Sequence, residues 1–125
     1  MKNDLMFGCL GNGVTVWDRS RNEGSNYKTV AHISEFGGVR LFKNHGLSDE
    51  SIARIHQHAR HQAEAFHVHF LNLPYSRQLE YYYNVMTHAQ FLERGKSGDK
   101  TAQQLYEAYV SCACANHGYE MRESQ

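Results

Sequence analysis

The sequence predicts an α+β fold: a four-stranded antiparallel meander over about residues 5–43, packed on one face by three helices over about 48–72, 74–94 and 100–117. Three observations carry this. Apolar and β-branched residues recur with a period of two up to residue 43 and of three to four beyond residue 48. Asn12-Gly13 and Gly37-Gly38 stand where an antiparallel chain would turn. The strands precede the helices instead of alternating with them, which separates α+β from a doubly wound sheet. A chain of 125 residues buries roughly two thirds of its unfolded surface, enough for one core without disulfide or metal staples. Residues 1–125 are therefore expected to form a single α+β domain.

The strands follow from alternation. Leu5, Phe7 and Cys9 alternate with Met6, Gly8 and Leu10, and Asn12-Gly13 is the pair that tolerates positive φ at both centres of a type I′ turn. Val14, Val16 and Asp18 then share one face, opposite Thr15 and Trp17, until the polar run from Arg19 to Asn26 reads as a loop. Tyr27 to Ser34 is again β-branched and aromatic, and Val39 to Lys43 returns after Gly37-Gly38.

The helices follow from caps and stripes. Ser48 is the expected N-cap of the first, with Asp49 and Glu50 in its first turn and Leu47 and Ile52 placed as a hydrophobic staple. Ile52, Ile55, Ala59, Phe66, Phe70 and Leu73 fall within about 60° of one another at 100° per residue. Pro74 ends that helix and suits the first turn of a second, which is read through to Arg94 with Gly95 as its C′ residue. Its expected inner face is Leu79, Tyr82, Met86 and Ala89. Asp99 is the expected cap of the third helix, in which Ala102, Leu105, Tyr109 and Cys112 form the stripe and Gly118 the stop.

Charge narrows the function classes. The 13 basic and 13 acidic groups balance, and no segment forms a basic arm, which argues against a nucleic-acid partner bound mainly through phosphates. Three cysteines leave an odd thiol, and no stretch joins a basic start to an apolar run of signal-peptide or membrane-span length. The expectation is a reduced, cytoplasmic protein without a membrane partner.

Nine histidines are the compositional oddity. Five, His56, His58, His61, His67 and His69, lie on the first helix, but they spread around its apolar stripe instead of converging as a zinc site requires. Glu64-Ala-Phe-His67 has the Glu-x-x-His spacing of di-iron bundles, and its second copy is absent. Cys112-Ala-Cys114-Ala-Asn-His117 looks like a ligand set, yet on a helix its two thiols stand about 200° apart, and Cys112 continues the stripe as a small hydrophobe. His58, His61, Cys114 and His117 are thus the candidate metal ligands, and the expectation is that no metal and no cofactor is held. A Cys9 nucleophile activated by His32 is the one enzymatic pairing the strands allow, without an oxyanion-hole motif to complete it. Gly8-Cys-Leu-Gly11-Asn-Gly13 leads into a strand and so is no phosphate cradle. No catalytic residue is assigned.

The tyrosines supply the remaining signal. Seven lie in the helical half, and in Tyr81-Tyr82-Tyr83 only Tyr82 falls on the inner stripe. Tyr81 and Tyr83 project to either side, where rigid amphipathic rings suit a protein interface. They are the interface candidates.

Gly11-Asn-Gly-Val-Thr-Val-Trp-Asp18 and Asn26-Tyr-Lys-Thr-Val-Ala-His-Ile33 resemble a group of small uncharacterised accessory proteins carried by bacterial plasmids, conjugative elements and phages. The resemblance covers the sheet half alone and implies a partner-binding accessory role on host or element machinery, with no site residues attached. Together these readings lead to a non-enzymatic protein that binds another protein or itself. A small metal-binding protein and a nucleic-acid-associated regulator are the alternatives, and no small-molecule partner is named.

Overall fold

The computed structural model describes residues 4–11, 13–94 and 100–121. Its fold is α+β, with strands β1 (Leu5–Leu10), β2 (Gly13–Glu23), β3 (Asn26–Ile33) and β4 (Val39–Leu41) followed by helices α1 (Asp49–Leu71), α2 (Tyr75–Val85), α3 (His88–Arg94) and α4 (Ala102–His117). The strands form one antiparallel sheet in sequence order. The chain divides into two compact units, residues 1–64 with 120–125 and residues 65–119.

In the first unit every strand is joined to its neighbour by a short turn. Leu10 pairs with Gly13, so the chain reverses between them and Gly13, expected at the turn centre of Asn12-Gly13, belongs to β2 instead. Gly11 has φ 63°, and Asn12 lies outside the described residues. Gly13 is a strand residue that must be glycine for a different reason: a Cβ there would stand 2.7 Å from the Ile33 carbonyl oxygen and 2.8 Å from the His32 ring.

The polar run expected as a loop is strand as far as Glu23, and the chain reverses at Gly24-Ser25 between the paired residues Glu23 and Asn26. The register shifts between Asp18 and Asn22, so Arg19, Ser20 and Arg21 bulge from β2 and fold around the Asp18 carboxylate. Ser20 N–H and Oγ–H donate to Asp18 Oδ1 (3.0 and 2.5 Å), and Arg21 Nε donates to Oδ2 (2.8 Å). Arg21 Nη2 also donates to the His45 carbonyl. Asp18 is wholly buried, and these donors offset the cost of burying its carboxylate. A second shift, between Val16 and Trp17, leaves Val30 as the extra residue of β3. The adjacent residues Val30 and Ala31 are consequently both buried.

The core of this unit joins Leu5, Val14, Val16, Val30, Ala31, Ile33 and Val39 to Ile55 and Ala59 of α1, with Phe7, Leu41 and Leu47 packed against it. Ser48 caps α1 as expected, its Oγ accepting from Ser51 N–H (3.2 Å). The Gly37-Gly38 loop closes on Ser34, whose N–H donates to the Gly38 carbonyl (2.8 Å). Gly37, at φ 86°, lies so close to α1 that a Cβ would meet the Ala63 Cβ at 2.5 Å. At the β4 edge, Val39 and Glu120 exchange backbone bonds of 2.9 and 2.8 Å.

The second unit is packed around aromatic rings. Phe66 and Phe70 of α1 meet Tyr81 of α2 and Tyr106 and Tyr109 of α4, with Phe70 and Tyr109 nearly parallel at 5.8 Å between centroids. The expected second helix is two helices, which makes four among the described residues. Met86 adopts an extended conformation (ψ 148°) and Thr87 begins a new capping box, accepting from Gln90 N–H at Oγ1 (3.2 Å) while its own N–H donates to Gln90 Oε1 (3.0 Å). The inner face of α2 accordingly differs from the expected one. Gln78 and Tyr82 are buried, Gln78 because its Nε2 donates to the Phe70 carbonyl (2.8 Å), whereas Ala89 belongs to α3 and is exposed.

The cap of α4 is Thr101, again in a reciprocal box with Gln104. Asp99, expected in that role, and Gly95, expected as a C′ residue, lie outside the described residues. Gly118 ends α4 at φ 72°, its N–H donating to the Cys114 carbonyl (3.1 Å). Among the described residues no helix is long and apolar enough to cross a membrane.

Candidate functional site

The surface that offers most to a ligand is the β1 edge of the sheet. Arg19 N–H donates to the Asp4 carbonyl (2.7 Å), which fixes the phase of the ladder: Asp4, Met6, Gly8 and Leu10 turn their backbone groups toward β2. Leu5, Phe7 and Cys9 therefore turn theirs away from it. Among the described residues these outward groups have no backbone partner. The strand itself, Leu5-Met-Phe-Gly-Cys-Leu10, carries no charge and no proline, the devices that ordinarily blunt a sheet edge.

Beside this edge lies a shallow hollow of about 210 Å³, lined by Phe7 and by Arg54, Gln57, His58 and His61 of α1. Heptad-like spacing on α1 places those four side chains along one row. The His58 ring stacks on Phe7 with centroids 4.7 Å apart and planes inclined 22°. All four α1 residues are exposed, so their nitrogen donors face solvent.

The remaining histidines of α1 go to other tasks. His56, expected on the rim of the stripe, is buried. His67 stacks on Tyr106 at 4.2 Å, with its Nε2 2.8 Å from Gln103 Oε1. His69 tilts against Phe66. Among the described residues no three His, Cys, Asp or Glu side chains gather around a point that could hold a metal ion. His58 and His61 share the hollow without a third ligand, and Cys114 is a half-buried thiol whose pKa burial pushes up. Cys112 is buried beside Asn116, whose Nδ2 donates to the Val85 carbonyl (2.9 Å) and to Gln90 Oε1 (2.7 Å). That polar node ties the α2–α3 corner to α4.

Strand register separates Cys9 from His32. Cys9 pairs with Val14 and Val14 with Ile33, whereas His32 pairs with Thr15. Cross-strand partners share a face, so the thiol and the imidazole lie on opposite faces of the sheet. Burial and then the charge of Arg40 on β4 lower the His32 pKa.

Tyr81 is half-buried and gives its ring to the aromatic cluster, edge-on to Phe66 (5.5 Å) and to Tyr109 (5.6 Å). Its remaining surface lines a second hollow with Arg77, Glu80 and Asn84, where Arg77 and Glu80 already pair at 3.3 Å. Tyr83, also half-buried, meets Phe91 of α3 edge-on at 5.3 Å. The sequence reading passed over the β1 edge and Arg54. The signal was present in an uncharged strand at the start of a meander, which leaves its first strand at the border of the sheet. Compared with known proteins, the chain matches no family model, no curated protein and no solved structure.

Proposed function

We propose that the protein is a non-enzymatic accessory protein that works by binding another protein. The observation that supports this is the border strand β1, which leaves the amide and carbonyl groups of Leu5, Phe7 and Cys9 without backbone partners among the described residues. A row of such groups is a template for a strand from another chain. Three chemistry-bearing side chains elsewhere serve the structure: Asp18 holds a bulge, Cys112 sits beside the Asn116 node, and His67 stacks on Tyr106. The three free thiols, Cys9, Cys112 and Cys114, suit a reducing cytoplasm. Residues 11–18 and 26–33, which resemble accessory proteins of plasmids, conjugative elements and phages, fall in the β1–β2 turn, β2 and β3 and favour a partner in the machinery of such an element or its host.

The test is capture from the native host with the wild-type chain and with Cys9→Pro. Cys9 is exposed and its N–H points away from β2, so proline there removes an outward donor without breaking the ladder. A protein retained in stoichiometric amount by the wild type and lost by Cys9→Pro is the expected outcome. A partner held equally by both, or none at all, contradicts this reading.

A further inference from the structure

The β1 edge, whose outward groups have no backbone partner among the described residues, and the hollow beside it form one continuous surface, because Phe7 belongs to both. Its backbone groups point along the sheet to the open edge, while its ring faces the α1 side and lines the hollow. We propose that this surface is a strand-addition site for an extended segment of a partner protein that carries carboxylate side chains, Asp or Glu, at alternate positions. The inference rests on the protein-binding reading above and names the chemistry of that partner.

The backbone supplies the attachment. A segment laid along Leu5, Phe7 and Cys9 exchanges main-chain hydrogen bonds with their outward N–H and C=O groups, and every second side chain then falls on the α1 side. Those side chains are spaced by about 6.6 Å, two residues of strand rise. From Arg54 to His61 the helix rises about 10 Å. Two consecutive side chains of the added strand therefore span the row.

The chemistry of the row selects what those side chains are. Arg54 presents a guanidinium, Gln57 an amide and His58 and His61 imidazoles; each can donate an N–H, and no acidic side chain lines the hollow. A carboxylate matches guanidinium geometry and accepts from all four groups. Glu50 lies four residues before Arg54 and Glu64 three after His61, so acidic residues flank the row and confine the favourable stretch to about two side chains by the spacing above.

The same features argue against two other occupants. A second copy pairing through its own β1 would bring Leu5, Phe7 and Cys9 to the row, with no carboxylate among them, and a two-fold arrangement would set Arg54, His58 and His61 against their equals. A nucleic acid offers anionic groups but not the alternating peptide donors and acceptors that the edge requires.

The probe is an end-blocked eight-residue peptide of alternating threonine and glutamate, titrated into the full chain with amide resonances followed. The comparison peptides have lysine for glutamate, or carry N-methyl groups on one or the other alternate set of amides. The expected result is shifts centred on Leu5, Phe7 and Cys9, and affinity for the glutamate peptide at least about tenfold above that for the lysine peptide, the size of one charge-assisted contact. One N-methylated peptide keeps its binding and the other loses it. Arg54→Glu, at an exposed helix position, reverses the preference between glutamate and lysine, and Arg54→Gln reduces it.

Equal affinity for both peptides at the β1 edge overturns the carboxylate preference while leaving a protein-binding module intact. The proposal also fails if there is no binding at about 1 mM peptide, a concentration that detects even weak recognition, or if shifts centre away from β1. A dimer in sedimentation whose formation protects the Leu5, Phe7 and Cys9 amides assigns the edge to a second copy and equally overturns it.

Discussion

Asp18 shows how much one side chain can organise. It closes a three-residue bulge by accepting from Ser20 and Arg21, and Arg21 carries the contact on to the His45 carbonyl in the loop before α1. Gly46, at φ 61°, leaves room for that guanidinium; a Cβ would stand 2.7 Å from Arg21 Nη1. Because Asp18 is wholly buried and the Arg21 side chain is 33% exposed, the two partners are not equivalent. Arg21→Ala removes the Arg21–Asp18 pair at a wholly buried carboxylate and should cost about 3 kcal/mol in urea unfolding, the low end for a broken buried pair. Asp18→Asn leaves a cation that can turn to water and should cost less. The opposite order would mean that the Arg21 contact contributes little to holding the bulge. Alternation in the sequence does place Asp18 on the inner face with Val14 and Val16. What it could not convey is that the polar residues after it are strand, since composition marks solvent exposure and not whether the backbone is paired.

At the scale of elements, caps outweighed periodicity. The run from Leu79 through Tyr82 and Met86 to Ala89 reads as one helical stripe, yet Thr87-x-x-Gln90 starts a new helix inside it. The same Thr-x-x-Gln spacing recurs at Thr101 and Gln104. Both boxes were legible as spacing, and the stripe masked the first because four apolar positions at helical intervals fit equally well across a break. Thr87→Ala and Thr101→Ala should each lower stability by about 1 kcal/mol, the worth of an N-cap. The two glutamines should differ. Gln90 Oε1 also accepts from Asn116 Nδ2, so Gln90→Ala removes a cap bond and one acceptor of the half-buried Asn116 amide, and chemical denaturation should find it more damaging than Gln104→Ala. The first helix was legible almost to the residue, because Ser48, Asp49, Glu50 and Pro74 mark its ends independently of its stripe. The edge site was less legible, since being a border strand is a property of the sheet and not of residues 5–10.

At the scale of the molecule, α1 contributes to both compact units: Ile55 and Ala59 to one core, Phe66 and Phe70 to the other. Ala65, exposed and at the junction, is the position to break it. Ala65→Pro removes a helical hydrogen bond at a cost of about 3 kcal/mol. Trp17, the one tryptophan, reports the first unit, and near-ultraviolet dichroism of the tyrosine cluster reports the second. Both signals should melt at lower temperature in the variant; a fall in only one would show that each half of α1 is held by its own unit alone.

The bridge between Val39 and Glu120 has a consequence for assembly. It covers the Val39 end of the β4 border, while β4 itself is only three residues long. Among the described residues the longer run of outward backbone groups is therefore on the β1 side. A monomer with two receptive borders can polymerise head to tail into a fibre, whereas a monomer with one has a valence of one and stops at the first strand it accepts. A short, partly covered second border lowers the tendency of an apolar, uncharged first border to propagate such a fibre.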